Sequence, residues 1–315
     1  MNEFLVVLWA VLPVFSLIAV GGMARRVEWL TEEADHSLLR VTINILVPCF
    51  ILDKVLGNEA LRQAGNVLLA PTVGAGTVAL GILIAVLAVG ATGLTDQTSR
   101  RTFGYSTGIY NWGYMPLPLA MTLFDRETVG VLIVHNLGTE IAFWSIGAVM
   151  LSGLGGGSIW KKILNPPMAA IVIALTLNFT NAQSLVPQFL LTTAKLLGDC
   201  AIPMGLVLIG ATIADHIHEF HFAKGGRVIA TACVLRLGVL PVLFLLLAKY
   251  LPCSVELKRV IVLQSAMPTA VFNVIMAKHY GGDTATAIRI VISTTVVSMA
   301  TIPLWLKFGM KFVGL

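Results

Sequence analysis

The chain is poor in charge. Only 12 % of its 315 residues are Asp, Glu, Lys or Arg, against roughly 25 % in a soluble domain. Hydrophobic residues make up 57 % and the mean hydropathy is +0.88. A soluble globule of this size cannot hide so much apolar surface in its core, so lipid must be the solvent for much of it. Cysteine is scarce as well. Cys49, Cys200, Cys233 and Cys253 form no C-x-x-C pair, and three of them lie in apolar runs. They read as small buried residues. No glycine-rich phosphate loop, zinc signature or nucleophile elbow is present, so neither cofactor nor metal is implied and nothing points to an enzyme. A cleaved leader is not expected either. The first apolar run, Phe4 to Ala24, is long enough to span and has no basic region ahead of it.

What charge there is leans positive, with a net +5 and a pI near 9.1. In this composition the excess reads as loop Lys and Arg facing anionic lipid rather than nucleic acid. The apolar runs fall near 4–24, 36–56, 67–91, 103–124, 128–152, 166–182, 188–213, 226–250, 258–280 and 284–308. Each is long enough to cross about 30 Å of hydrocarbon as a helix. The expected fold is therefore an all-α integral membrane protein of ten spans. Residues 1–152 form a first five-helix repeat, 153–165 a join, and 166–315 a second repeat. Gly153 to Asn165, with three consecutive glycines and then Lys161 and Lys162, reads as a flexible connection.

The halves echo each other. The second span reads Arg40-Val-Thr-Ile-Asn-Ile-Leu-Val-Pro48, the seventh Lys195-Leu-Leu-Gly-Asp-Cys-Ala-Ile-Pro203. The fourth and ninth spans both carry proline near the middle. An odd number of spans per half inverts the second half, and an inverted repeat with two interrupted helices is a secondary-transporter signature. Basic residues number nine on one face and eight on the other, but six against three in the first half. Early spans usually dominate orientation, which places both termini outside the cell membrane.

The fourth span contains Asn111-Trp-Gly113-Tyr-Met-Pro116-Leu-Pro118. Two prolines so close remove backbone donors and clash with the preceding turn. A break at membrane depth is tolerated where it is buried in protein or lines a cavity. Its freed backbone groups then become ligands, and the N-terminus of a half-helix favours an anion. The amide of Asn111 can donate and accept. The ninth span offers Ser265-Ala-Met-Pro268-Thr-Ala-Val-Phe-Asn273. A kinked packing helix is the plainer reading of either segment.

Several segments carry a family resemblance. They are Leu46-Val-Pro48, Asn111-x-Gly113 with Pro118-Leu119, Asn165-Pro166-Pro167, Ala201-Ile-Pro203 with Leu208-Ile-Gly210-Ala, Ala266-Met-Pro268-Thr-Ala with Tyr280-Gly-Gly-Asp283, and Ser293-Thr294 with Ile302-Pro303. In order and spacing they resemble the auxin efflux carrier family of membrane transporters, which includes plant PIN proteins and bacterial malate/malonate-type permeases. One departure is Pro116, where the family usually has glycine. The long loop of some plant members is absent. The resemblance implies a scaffold and a transport subdomain, each drawn from both halves. Helices four and nine cross at their breaks, with the substrate site beside the crossing. Asn111, Gly113, Pro116, Pro118 and Pro268 match that site by position, and Asn273 is added from its place near Pro268. A homodimer is expected.

The fifth span holds His135, Asn136, Thr139 and Glu140 within a roughly 140° arc of one helix. Glu140 is near mid-span, where an ionised carboxylate is expensive, so it must face inward and be protonated or paired. The cluster reads as a proton or sodium coupling site, or as a hydrogen-bonded structural group. Lys195 and Asp199 are four apart and can pair along one face, as coupling candidates or for structural neutralisation. Arg236, mid-span in the eighth run, needs an anionic partner. Asp199 and Glu140 are the candidates, unless its fork holds a substrate carboxylate. Arg40 and Arg289 lie near span ends and can snorkel. His216, His218 and His221 read as a polar loop rather than a metal site. Gly74, Gly76, Thr77 and Gly81 read as close helix packing. The expected function is a carrier of small organic anions, auxin-like or dicarboxylic, working by alternating access. The alternative is a membrane receptor that binds such a ligand without moving it.

Overall fold

The computed structural model describes residues 3–152, 165–219 and 225–315. Most of the join expected at 153–165, with Lys161 and Lys162, lies outside them, as do His221 and Lys224. The described residues are helices and turns, with one isolated β-bridge. Helix α1 is Glu3–Arg26. Helix α2 (Glu32–Val41) runs through a π-helical stretch, Thr42–Leu46, into α3 (Val47–Val55). Helix α4 is Ala64–Ala88, α5 is Gln97–Gly108 and α6 is Pro116–Leu123. Helix α7 (Arg126–Ala142) passes through a second π stretch, Phe143–Gly147, into α8 (Ala148–Ser152). Then come α9 (Pro166–Phe179), α10 (Gln188–Asp199) and α11 (Ala201–His216). A third π stretch, Leu235–Val239, joins α12 (Gly226–Val234) to α13 (Leu240–Tyr250). The last helices are α14 (Val255–Ser265), α15 (Phe272–His279) and α16 (Thr284–Val313).

Among the described residues, six stretches are long and apolar enough to cross a membrane: Leu5–Arg26, Ala64–Thr92, Arg126–Leu151, Gln188–His216, Gly226–Tyr250 and Thr284–Val313. The other four expected runs differ for visible reasons. The run at 36–56 covers the end of the polar α2, with Arg40 in it, then the π stretch and the nine-residue α3. The run at 166–182 is a helix of 14 residues. The runs at 103–124 and 258–280 are each broken in the middle.

The helices sort into two packing groups. Helices α1, α2–α3, α9 and α10–α11 lie mainly against one another, and α4–α8 with α12–α16 form the second group. The groups meet where α1 touches α6 and α16, and where α3 meets α7. Small residues set the closest approaches. A methyl at Gly21 would collide with the carbonyl of Val207, one at Gly74 with that of His135, and one at Gly81 with that of Gly108. The expectation of close packing thus holds at Gly74 and Gly81. It fails at Gly76, where a methyl meets nothing within 4 Å.

Helix ends are closed by side chains, some from neighbouring helices. The last carbonyls of a helix have no partner within it. At the end of α3, Asn178 Nδ2 donates to Val55 O at 2.7 Å, and Arg126 Nη2 to Asp53 O at 2.6 Å and Leu56 O at 3.0 Å. At the opposite kind of end, Asp96 and Asp283 cap α5 and α16. Asp96 Oδ2 accepts from Ser99 N at 2.8 Å, and Asp283 Oδ1 from Thr286 N at 3.2 Å. Ser99 Oγ donates across to Asp283 Oδ2 at 2.7 Å, and Asp283 N to Thr102 Oγ1 at 2.9 Å, so the two caps form one knot.

The knot has a pH signature. Burial alone would raise the Asp283 carboxyl, but hydrogen bonds from Thr286 and Ser99 and the nearby Arg289 outweigh it and hold it below its ordinary 3.8. A carboxyl depressed in the folded state adds stability above its unfolded value and loses it as pH falls through the folded one. The melting temperature of the detergent-solubilised protein should therefore drop as pH is lowered below about 4. Asp283→Asn should melt lower than the parent at pH 7 and show a shallower acid limb. Parallel acid limbs in the two proteins would remove Asp283 as the cause.

Candidate functional site

The breaks in the two interrupted runs lie side by side. Between α5 and α6 the chain leaves the helix over residues 109–115, and between α14 and α15 over 266–271. Asn111 N donates to Pro268 O at 2.8 Å and Ala270 N to Ile109 O at 3.2 Å, around an antiparallel bridge of Tyr110 and Thr269. Backbone groups that the prolines and the breaks leave without helical partners thus satisfy one another across the crossing. Asn273 Nδ2 adds bonds to Ser106 O at 3.3 Å and Ile109 O at 3.2 Å, closing the C-terminus of α5 from the first turn of α15.

The prolines sit differently from the sequence expectation. Pro116 and Pro118 do not stand inside the break. They open α6 just after it. A residue without an N–H and with fixed φ suits the first turn of a helix. Pro268 is inside its break and supplies the carbonyl that Asn111 uses. Pro303, by contrast, lies within the unbroken α16.

Around the crossing the structure gathers more of the expected residues. Asn111 is only 5 % exposed; its Oδ1 accepts from Met115 N at 3.4 Å. A Cβ built at Gly113 meets nothing within 4 Å, so the break opens on that side. Half-buried Trp112 and Tyr114 flank it. Thr139 Oγ1 lies 3.4 Å from the Tyr110 hydroxyl, which is 2.8 Å from Thr77 Oγ1. Asn136 Oδ1 accepts from Gln264 Nε2 at 3.0 Å, and the same Nε2 donates to Trp112 O at 3.1 Å. His135 is buried, with Nδ1 3.4 Å from Asn136 Oδ1 and no partner for Nε2. Sequence reasoning missed Tyr110 and Gln264, and read Thr77 only as packing. The polar Gln264 four residues before Pro268, and Tyr110 beside Asn111, were the available signals.

The expected partners of Arg236 are corrected. Neither Glu140 nor Asp199 pairs with it. Glu140 Oε1 accepts from Asn165 Nδ2 at 2.7 Å, while Asn165 Oδ1 caps α9 through Met168 N at 2.9 Å. Asp199 pairs with Lys195 at 2.9 Å as the spacing suggested, but their side chains are 44 % and 58 % exposed on α10. Neither is brought to the crossing. Arg236 itself is fully buried on the π stretch before α13. Its guanidinium lies 5.2 Å from the Tyr110 ring centre and 5.3 Å from that of Phe244. Nη2 donates to Ser265 O at 3.4 Å; Nε and Nη1 have no hydrogen-bond partner. A desolvated cation–π contact is worth about 2 kcal/mol, whereas removing an ion from water costs several. The rings therefore do not offset the burial of this charge.

Of the three histidines read as a polar loop, His216 bonds within its own helix. His216 Nδ1 lies 2.9 Å from Thr212 O, a helical carbonyl four residues back.

The arrangement can do three things. It leaves open space at Gly113, points two short helices away from a shared crossing, and holds a cation under it. A family model described as membrane transport protein matches residues 6–159 and 154–306. Among curated proteins, an uncharacterized transporter of Methanothermobacter thermautotrophicus is 25 % identical over 301 residues, covering 94 % of this chain and 96 % of its own. An uncharacterized transporter of Methanocaldococcus jannaschii is 24 % identical with the same coverage.

Proposed function

For this chain, which belongs to the membrane transport protein family, we propose the role of a carrier that moves small organic anions across the cell membrane by alternating access about the crossing of its two broken spans. The observation that carries the reading is the backbone pairing of residues 109–111 with 268–270. Irregular backbone at membrane depth is stable where it lines a site, and short helices starting there present positive dipole ends to an anion. Asn111, Gly113, Pro116, Pro118, Pro268 and Asn273 build that site.

The same reading takes the ten spans as two inverted repeats of five. The fourth and ninth spans share one plan, a helix of 12 or 11 residues, a break, and a helix of eight. The group around α1 and α11 then acts as scaffold and the group around the crossing as the moving part. A homodimer would form through the scaffold, with both termini outside.

Glu140 is assigned a structural role, because its carboxylate joins α7 to the capping residue of α9. Flux is then driven by the substrate gradient and the membrane potential, with neither a proton nor sodium coupled. Glu140→Gln keeps an oxygen acceptor for Asn165 and should transport within about twofold of the parent. Neither protein should respond to an imposed pH gradient. A parent flux that follows the pH gradient, with loss of that response in Glu140→Gln, would make Glu140 the coupling group instead.

The experiment for the function is counterflow in proteoliposomes of the purified full chain, with labelled mono- and dicarboxylates. Accumulation of label against its gradient supports the carrier. Saturable binding without flux would make the protein a receptor.

A further inference from the structure

Of the Asp, Glu, Lys and Arg side chains among the described residues, Arg236 alone is fully buried. It lies against both broken segments, over the ring of Tyr110 and beside the carbonyl of Ser265. No carboxylate among the described residues pairs with it. Glu140 is engaged with Asn165, Asp199 with Lys195, and Asp283 with Ser99 and Thr286. Two of its three nitrogens, Nε and Nη1, carry N–H groups with no acceptor. A guanidinium fork with free N–H groups in a dry site is a carboxylate receptor in wait.

We propose that Arg236 is the fixed counter-charge of the carrier. A single substrate carboxylate neutralises it, so the loaded form crosses the membrane field as a neutral unit and the empty form returns as a cation. This rests on the carrier reading above and deepens it. The substrate narrows to monoanions, because one unpaired guanidinium matches one carboxylate and leaves a second uncompensated. Membrane potential then acts on the empty return. It does not act on the loaded step. Glu140, tied to Asn165, carries the same charge in both forms.

Exchange and net flux separate the two steps. Exchange, with equal substrate on both sides, uses the loaded form alone, whereas net efflux needs the empty return. The full chain in proteoliposomes is given labelled lactate and benzoate as monoanions and labelled succinate as a dianion at pH 7.5, with the potential set by potassium and valinomycin. One charge moved through the whole field is biased roughly 50-fold per 100 mV, and a rate feels part of that. For whichever monoanion is carried, exchange should stay within about twofold over 100 mV while net efflux changes roughly tenfold. Arg236→Lys should preserve this pattern. Arg236→Gln should reverse it: its empty form is neutral, its loaded form negative, and exchange becomes the sensitive step. Since the variant removes a charge that no protein group pairs, its melting should not fall. If it does not fold, the wild-type comparison decides alone. Wild-type exchange as steep as net efflux, or succinate carried in preference to both monoanions, overturns the proposal and leaves the carrier reading standing. Absence of any carboxylate flux overturns the carrier reading, and this proposal with it.

Discussion

Asn111→Ala is expected to lower transport efficiency by about 10- to 150-fold without lowering the melting temperature. The figure follows from a hydrogen bond to a charged group being worth about 1.5–3 kcal/mol, with a tenfold change per 1.36 kcal/mol. The separation of the two effects follows from which atoms hold the crossing. The bond from Asn111 to Pro268 uses the main-chain N–H, which alanine retains. The side chain makes one long bond, to Met115 N at 3.4 Å, and its Nδ2 donates to no described residue. What alanine removes is therefore a group available to a ligand beside Gly113. Initial counterflow rates over a concentration series, read beside thermal melting, check both halves of the expectation. A variant that transports like the parent would move the binding site away from the crossing.

Asn273→Ala should do the reverse and cost stability first. Its Nδ2 closes two buried carbonyls, Ser106 O and Ile109 O, and Asn273 is itself fully buried. Leaving buried polar groups unsatisfied costs roughly 1–3 kcal/mol each. Ile109 O keeps its bond from Ala270 N, which leaves Ser106 O bare, so the loss should be about 1–3 kcal/mol. Melting by size exclusion after heating should fall by several degrees, and transport should fall with it. Asn273→Asp fills the same space but cannot donate, so it should be as damaging as alanine. Parent-like melting in either variant would show that the first turn of α15 is held by something other than this amide.

The contrast between these neighbouring asparagines shows where sequence reading stops. Both were expected to face substrate, because polar residues beside mid-span prolines look alike along a chain. Their difference lies in what the other half of the molecule brings to them. Six of the ten expected spans were legible because lipid imposes a length and a composition on a helix that crosses it. The breaks were legible because prolines bar a straight helix, yet their positions were displaced. Pro116 and Pro118 start a helix, whereas Pro303 passes through one intact. Arg236 was recognised as a charge needing a partner. That no carboxylate reaches it could not be read, since spacing says what lies on one helix face and nothing about which face a distant helix presents. The same limit hid Gln264 and Tyr110. Glu140 is half-buried, and its partner, Asn165, belongs to the opening of α9.

One feature of the crossing bears on how such a protein changes over generations. The two broken segments are joined by main-chain groups, N–H donors that every residue but proline possesses and C=O acceptors that every residue possesses, Pro268 included. Their alignment survives exchange of most of the side chains around them. Mutational drift can therefore rewrite the side chains beside Gly113 while the backbone framework stays in place. Divergence to 24–25 % identity over nearly the full length is compatible with one backbone framework that tolerates extensive exchange of side chains.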